Sequence, residues 1–357
     1  LWLSVIPPIT YYLKLDSVLP LFLFTPVAAV GLIMAADTGF LSGSQRFTFV
    51  AVILLVEALS KLALAVIGIE TNTPIMVYGA IPFSVVCAFA AATLFAHRYA
   101  KRSTAAAVDA KESSFPKRFF ASTVLLRSSA ATFLGLDFLV VRLFVSPVQA
   151  GQYALLSLSG KMIFFMGSLF SQFIIPVISL RMGEGGKGKR QFRILLGLTM
   201  VAVGIGVVMF GAYGHITAPF LFGPNAITIV HLLPTYALAY AFFTIAQSVV
   251  SYHQVRHNYV FSAMSFVATA GAIIGITFSH NTLDDMVWVL LISSLAFSNA
   301  VVLTHVFLEP IGVFISNTRD FLGLFSRLPQ TRDPQVALRI LVINWRDTKH
   351  VWAGGAE

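Results

Sequence analysis

The chain has 357 residues, of which 57% are hydrophobic and only 11% charged, and its mean hydropathy is +0.83. That much apolar surface cannot be hidden in a soluble core, so composition excludes an ordinary soluble globular protein and makes the bilayer the solvent. The formal charge of +9 would suggest a nucleic-acid partner, but the 24 Lys and Arg residues gather in a few loops and the tail, which is the positive-inside habit of membrane proteins.

Ten apolar stretches of membrane length are predicted, at 1–13, 18–37, 48–68, 75–96, 120–141, 152–180, 193–213, 227–250, 258–279 and 286–308. They are continuous and lack period-two alternation, which favours helices over a β-barrel. The first is a remnant: Leu1 is not Met and lies inside an apolar run, so the chain is expected to be a fragment whose opening spans are missing. The lone cysteine, Cys87, falls in a span and reads as a small core residue; it excludes an intramolecular disulfide and a cysteine-rich metal site.

Loop charge assigns the sides. Segment 97–118 carries Arg98, Lys101, Arg102, Lys111, Lys117 and Arg118, and segment 181–193 carries Arg181, Lys187, Lys189, Arg190 and Arg193. The alternate loops 69–74, 214–226 and 280–285 have no Lys or Arg at all. The basic loops therefore face the cytoplasm, and odd–even counting places the C-terminus there too; the loop with Lys14 is the one dissent. The polar stretch 97–118 divides the chain into a partial first lobe, 1–96, and a second lobe of six helices, 119–308. Two-lobe construction is common in secondary transporters. Beyond the last span, Ile311, Phe314, Ile315, Leu322 and Phe325 recur at helical spacing, which predicts an amphipathic surface helix and linker over 309–334; an ordinary linker helix fits equally.

Ionisable groups within spans need a partner or a polar cavity. Glu57 and Lys61 stand four apart in the favoured order for a helical ion pair, with a lining role in a polar pathway as the alternative. Arg127 and Lys161 lie too deep to snorkel easily, and a central cavity lined by both would attract an anionic headgroup such as a diphosphate. Equally, each would be neutralised by a carboxylate on a neighbouring helix, Asp137 with Lys161 for example. Gly271 and Gly275 form a small-xxx-small pattern suited to close helix packing. Pro176 and Pro234 are expected to kink their helices. His305 reads as a satisfied histidine or a proton relay, and Gln172, Gln247 and Asn299 as groups that bond a sugar or one another. No paired-carboxylate site, HExxH, Walker loop or nucleophile elbow is present, so transport is favoured over enzymology, and neither a cofactor nor a metal is expected.

The run Gly135-Leu136-Asp137-Phe138-Leu139-Val140-Val141-Arg142-Leu143-Phe144-Val145-Ser146-Pro147, followed by Ala150-Gly151-Gln152-Tyr153, resembles the oligosaccharide flippase family, the O-antigen and polysaccharide translocases related to MATE-type multidrug exporters. Leu41-Ser42-Gly43-Ser44-Gln45-Arg46-Phe47 and Phe222-Gly223-Pro224 are similar to it as well, and the resemblance covers nearly all of residues 1–310. It implies an all-α polytopic protein of the bacterial or archaeal cytoplasmic membrane, a two-lobe MATE-like bundle of about nine full spans plus a remnant, truncated at its N-terminus. It also implies a function: alternating access that moves a polyprenyl-diphosphate-linked glycan between leaflets, beside a glycan polymerase and glycosyltransferases as partners, with Arg127 and Lys161 suited to the headgroup.

The tail adds a second resemblance. Ile340–Ile343 reads as a short buried strand running into a loop with Gly354 and Gly355, a common opening for a nucleotide-binding α/β domain. Residues 338–357, in the domain expected over 335–357, are similar to the start of family 4 glycosyltransferases, in which such glycines approach the donor or acceptor site. The chain is thus expected to be a flippase ending in a truncated α/β stump, with glycosyltransferase activity only in a longer chain. Two other readings stay open: a cation-coupled drug or solute exporter of the same fold, with Glu57 and Asp137 as coupling carboxylates, and a membrane-anchored glycosyltransferase or ligase.

Overall fold

The computed structural model describes residues 2–12, 17–44, 46–103, 117–183, 185, 186 and 188–322. The expected glycosyltransferase-like stump, with Gly354 and Gly355, lies outside them. A backbone in hydrocarbon finds no water to bond, so each apolar run must satisfy its own N–H and C=O groups as a helix. Among the described residues there is no strand. Eight helices among the described residues are long and apolar enough to cross a membrane, nine if one bent pair counts as a span. The described residues thus have an all-α, multi-pass membrane architecture, and they divide into two compact units, one of residues up to 103 and one from 117 onward.

The first unit holds α1 (Trp2–Tyr12), α2 (Leu19–Leu23), α3 (Thr25–Gly43), α4 (Phe47–Glu70) and α5 (Pro74–Ser103). The span predicted at 18–37 is a broken one. The helix is interrupted at Phe24, just before Pro26, whose ring cannot accept the carbonyl four residues back. A separate bend of 42° lies within α3, between the pieces Leu21–Gly31 and Ile33–Gly43. Helices α3, α4 and α5 pack around Leu41, Ile53, Ala88 and Ala92. Gly68 lets α5 come close, since a Cβ there would lie 2.9 Å from Val77 Cγ2. Only 6% of the most apolar stretch of α4 is buried: one side packs along α5 and α3, and the other carries the exposed Leu54, Leu55, Leu59 and Leu62.

The second unit holds α6 (Lys117–Phe144), α7 (Pro147–Ser171), α8 (Ile174–Gly183), α9 (Lys189–Val207), α10 (Gly214–Phe222), α11 (Leu233–Val255), α12 (Val260–Phe278) and α13 (Leu283–Leu322). A π-helical turn, Val208–Ala212, follows α9, and a 3-10 turn, Pro224–Ile229, precedes α11. Ser146 caps α7 in a reciprocal box with Gln149, and Pro147 at the first helical position needs no N–H partner. That is the local physics behind the Ser-Pro step of the sequence. Pro176 acts as expected: it stands four residues beyond Gln172, where α7 gives way to α8. Across that break the carbonyls of Ser168 and Phe170 accept backbone N–H groups, and that of Leu169 accepts the Gln172 side-chain amide.

Three expectations are corrected. Pro234 does not kink a span; it lies in the first turn of α11, so the helix starts there rather than at 227. The uncharged loop 214–226 is largely helical, as α10. The last span runs on without interruption into the first part of the segment expected as a separate helix, as α13, 40 residues long; residues 323–334 lie outside the described residues. Helix α11 is the axis of the unit: 72% of its most apolar stretch is buried, and it packs against α6, α7, α8, α9, α12 and α13.

Candidate functional site

Because α11 is surrounded, any polar group it carries must find a partner inside the protein. It carries many. Tyr236 and Tyr240, one turn apart, point at Asp137 of α6, which is fully buried. The Tyr236 hydroxyl donates to Asp137 Oδ2 at 2.9 Å, and Tyr153 of α7 donates to the same oxygen at 3.2 Å. Tyr240 has one proton to place between Oδ2 at 3.5 Å and the Phe133 carbonyl at 3.3 Å. The second carboxylate oxygen, Oδ1, is buried and has no hydrogen-bond partner.

The tyrosines fit because α7 has no side chain where they cross it. A Cβ on Gly160 would lie 2.6 Å from carbons of both the Tyr236 and Tyr240 rings. Phe133 stacks on Phe243 at 3.8 Å and closes the cluster on the α6 side.

Below the aspartate, toward the Lys117 end of α6, a polar seam joins α6, α11 and α12. Ser129 sits 2.6 Å from Ser265 and 2.7 Å from Thr269, while Gln247 Nε2 donates to Ser265 at 2.8 Å. Nearer the helix end, Ser122 meets Ser262 at 2.8 Å, and Gln254 Nε2 donates to Thr123 at 2.6 Å. The Oε1 atoms of Gln247 and Gln254 are buried without partners.

Two histidines complete this end of α11. His253 Nε2 and His305 Nδ1 share one hydrogen bond of 2.7 Å, and the His253 ring stacks on Phe261 at 3.7 Å. His305 is therefore a satisfied histidine, tied to α11. His257, in the turn to α12, has a left-handed φ of 61° and bonds Tyr259 at 2.8 Å. Burial pushes the His257 imidazole down from its ordinary range and the Tyr259 phenol up.

The other expected residues are placed as follows. Glu57 and Lys61 lie one turn apart on α4, both half-buried, yet no ion pair joins them. On a helix so little covered, neither side chain is boxed in against the other. Lys161 is half-buried on α7 and close enough for its charge to act on Asp137, but the two form no ion pair; the aspartate is held by phenols instead. Arg127 is exposed on α6 and, among the described residues, has no ion-pair partner. Gln247 bonds hydroxyl groups rather than Gln172 or Asn299.

Tyr236 and Tyr240 were not anticipated. The available signal was their i, i+4 spacing on the same helix as Gln247 and Gln254, which marks one polar stripe on an apolar span. Among the described residues no group of three His, Cys, Asp or Glu is placed to hold a metal. No protein-family model matches the chain, and neither a curated protein nor a solved structure is similar to it.

Proposed function

We propose that this chain is the membrane part of a flippase of MATE-like, two-lobe design, which moves a lipid-linked oligosaccharide across the cytoplasmic membrane by alternating access. The observation that supports this is the pair Arg127 and Lys161. Both stand well inside the helices that open the second unit, Arg127 about 15 Å from the Lys117 end at helical rise. Among the described residues neither is cancelled by an ion pair. A cation kept in a span without a counter-ion is costly and marks a substrate path. A diphosphate headgroup is the complementary charge, and the hydroxyl-bearing glycan would travel with it. In this reading the basic loops 97–118 and 181–193 face the cytoplasm, where the headgroup is loaded. Residues 338–357 would begin a glycosyltransferase domain on that same side.

The test is export of a lipid-linked glycan by the full-length protein carrying Arg127→Ala or Lys161→Ala. Both variants are expected to reach the membrane in normal amount and to lose export. Normal export in both overturns the cationic path.

A second reading, a cation-coupled exporter of the same fold, draws on Asp137, a buried carboxylate that is held by tyrosines and not neutralised by a basic partner. Loss of small-solute efflux in Asp137→Asn, with glycan export intact, would favour it.

A further inference from the structure

No Asp, Glu, Lys or Arg occurs between Arg193 and Arg256. The interval covers most of α9, all of α11 and the link that joins them. Helix α9 with its π-helical turn, Lys189–Ala212, has 24 residues, about 36 Å at helical rise, and α11 has 23, about 34 Å. Each by itself spans a hydrocarbon core of about 30 Å. Residues 213–232 therefore stand at a membrane face, the one opposite segments 97–118 and 181–193. They hold α10, of 9 residues, and the 3-10 turn, of 6, both too short to cross.

A link lying in water carries a polar outer face. This one is apolar on both sides. Gly214, Ala218, Ala226 and Ile229 are buried, and a Cβ on Gly214 would lie 2.9 Å from Leu233 Cδ1, so α10 is clamped to the start of α11. On the other side Tyr213, Ile216 and Phe220 recur at helical spacing, all exposed, Phe220 by 85%; Ile227 of the 3-10 turn is exposed as well. An exposed apolar row of the same kind runs along α9 as Ile194, Leu198, Val201, Ile205 and Val208, the stripe a crossing helix turns to acyl chains. The face of α10 continues that lipid-facing surface.

The backbone suits the same surroundings. Where α9 gives way to α10, the Tyr213 N–H donates to the Val208 carbonyl at 3.0 Å and the Thr217 hydroxyl to the Met209 carbonyl at 2.7 Å. Where α10 ends, the Gly223 N–H donates to the Pro219 carbonyl, and the Gly223 carbonyl accepts from Ala226. Pro219 and Pro224 bring no N–H to satisfy. These turns close their bonds without water, as a chain in a poorly hydrated layer must. Polar side chains stand at the two ends, Tyr213 and His215 at the entry and Asn225 and Thr228 at the exit, where their tips meet headgroups.

We infer that α10 and the 3-10 turn are a foot immersed in the leaflet opposite the basic loops, with the Tyr213–Ile216–Phe220 face against acyl chains. By holding the start of α11 at the boundary of hydrocarbon and headgroups, the foot sets the depth of the second unit in the bilayer. A second copy of the chain is the competing occupant of this face. Protein interfaces carry a polar rim, and residues 194–255 offer no charged group for one. The placement does not depend on what the chain transports.

The test is electron paramagnetic resonance of the full-length protein in liposomes of phosphatidylcholine and phosphatidylglycerol. In a background freed of native cysteines, Cys87→Ala included, Ile216→Cys and Phe220→Cys carry a nitroxide label. Val201→Cys on α9 is the reference in hydrocarbon and Arg190→Cys the reference in water. Oxygen gathers in hydrocarbon and a nickel chelate in water. At 216 and 220 oxygen is expected to relax the label more strongly than the chelate, as at 201 and opposite to 190, with a depth nearer the headgroups than that of 201. Should either labelled variant fail to fold, Ile227→Cys, exposed on the 3-10 turn, carries the same expectation. The inference is overturned if the chelate prevails at these positions, which makes α10 a loop in water. It is equally overturned if neither reagent reaches them, which puts protein over that face; dipolar coupling between labels of separate molecules then identifies the cover as a second copy.

Discussion

Gly160 offers the sharpest test of how the second unit is packed. A Cβ at this position would sit 2.6 Å from Tyr236 Cε1 and from Tyr240 Cδ2 and Cε2, whereas carbon atoms prefer about 3.5–4.0 Å. The rings must therefore retreat by about 1 Å, and they have nowhere to go. Both are fully buried; Tyr240 lies 5.0 Å from the Phe133 ring, and Tyr236 lies 4.9 Å from Tyr240. Overpacking of this kind costs about 1–3 kcal/mol. Displacing the Tyr236 hydroxyl from its 2.9 Å contact with Asp137 adds about 1 kcal/mol. Helix propensity returns up to about 1 kcal/mol, because alanine is the better helix former. Gly160→Ala is thus expected to destabilise the protein by about 1–3 kcal/mol net. Gly271→Ala provides the control: a Cβ there meets nothing within 4 Å, so only the propensity gain is left and the sign reverses. Reversible unfolding of both variants in mixed micelles measures the difference. The packing argument is refuted if Gly160→Ala unfolds with the parent, or if Gly271→Ala is as damaging.

Three further outcomes are expected. In a double-mutant cycle, Tyr236→Phe and Asp137→Asn should show a coupling of about 1 kcal/mol or more, above the mean of about 0.6 kcal/mol for bonds between membrane helices; a coupling near zero would mean that the 2.9 Å contact carries no weight. Ser146→Ala removes the capping box of α7 and should cost about 1 kcal/mol in the same unfolding assay, with Gln149→Ala costing less than Ser146→Ala. Burial holds His257 below its ordinary value of 6.5, so the unfolded chain takes up this proton first as the pH drops. The stability it contributes is then complete above about pH 6.5 and lost progressively below it. His257→Asn, which tolerates the left-handed backbone and does not titrate, should flatten that acid limb; an unchanged slope would remove His257 from the account.

Much of the helix count was legible because it depends on run length alone. A bilayer needs about 20 apolar residues per span, and that demand shows in any hydropathy window. Prolines were legible only by position. Both Pro176 and Pro234 sit in the first turn of a helix, where a missing N–H costs nothing, but the helix of Pro176 follows α7 after two residues and so marks a break between helices, whereas Pro234 follows a 3-10 turn and opens its helix. The two differ by what precedes them, and an apolar run does not reveal that. The site was less legible still. Asp137 invites a basic partner on charge grounds, and the structure gives it three phenols. Tyrosine in a span reads as an interfacial aromatic, and Ser129, Ser265 and Thr269 read as small packing residues. Their hydrogen bonds become visible only once three helices are brought together. His305 was recognisable as satisfied, but its partner, His253, lies 52 residues away.

The break between α7 and α8 changes what holds that span together. A carbonyl bared in hydrocarbon finds no water, but here those of Ser168, Leu169 and Phe170 are supplied from within the break itself. Helix α8 therefore need not continue α7 to be held in place: its Ile174, Pro176, Ile178 and Ser179 are buried, and it packs on α9 and α11. Its direction is set by side-chain packing rather than by the backbone of the helix before it.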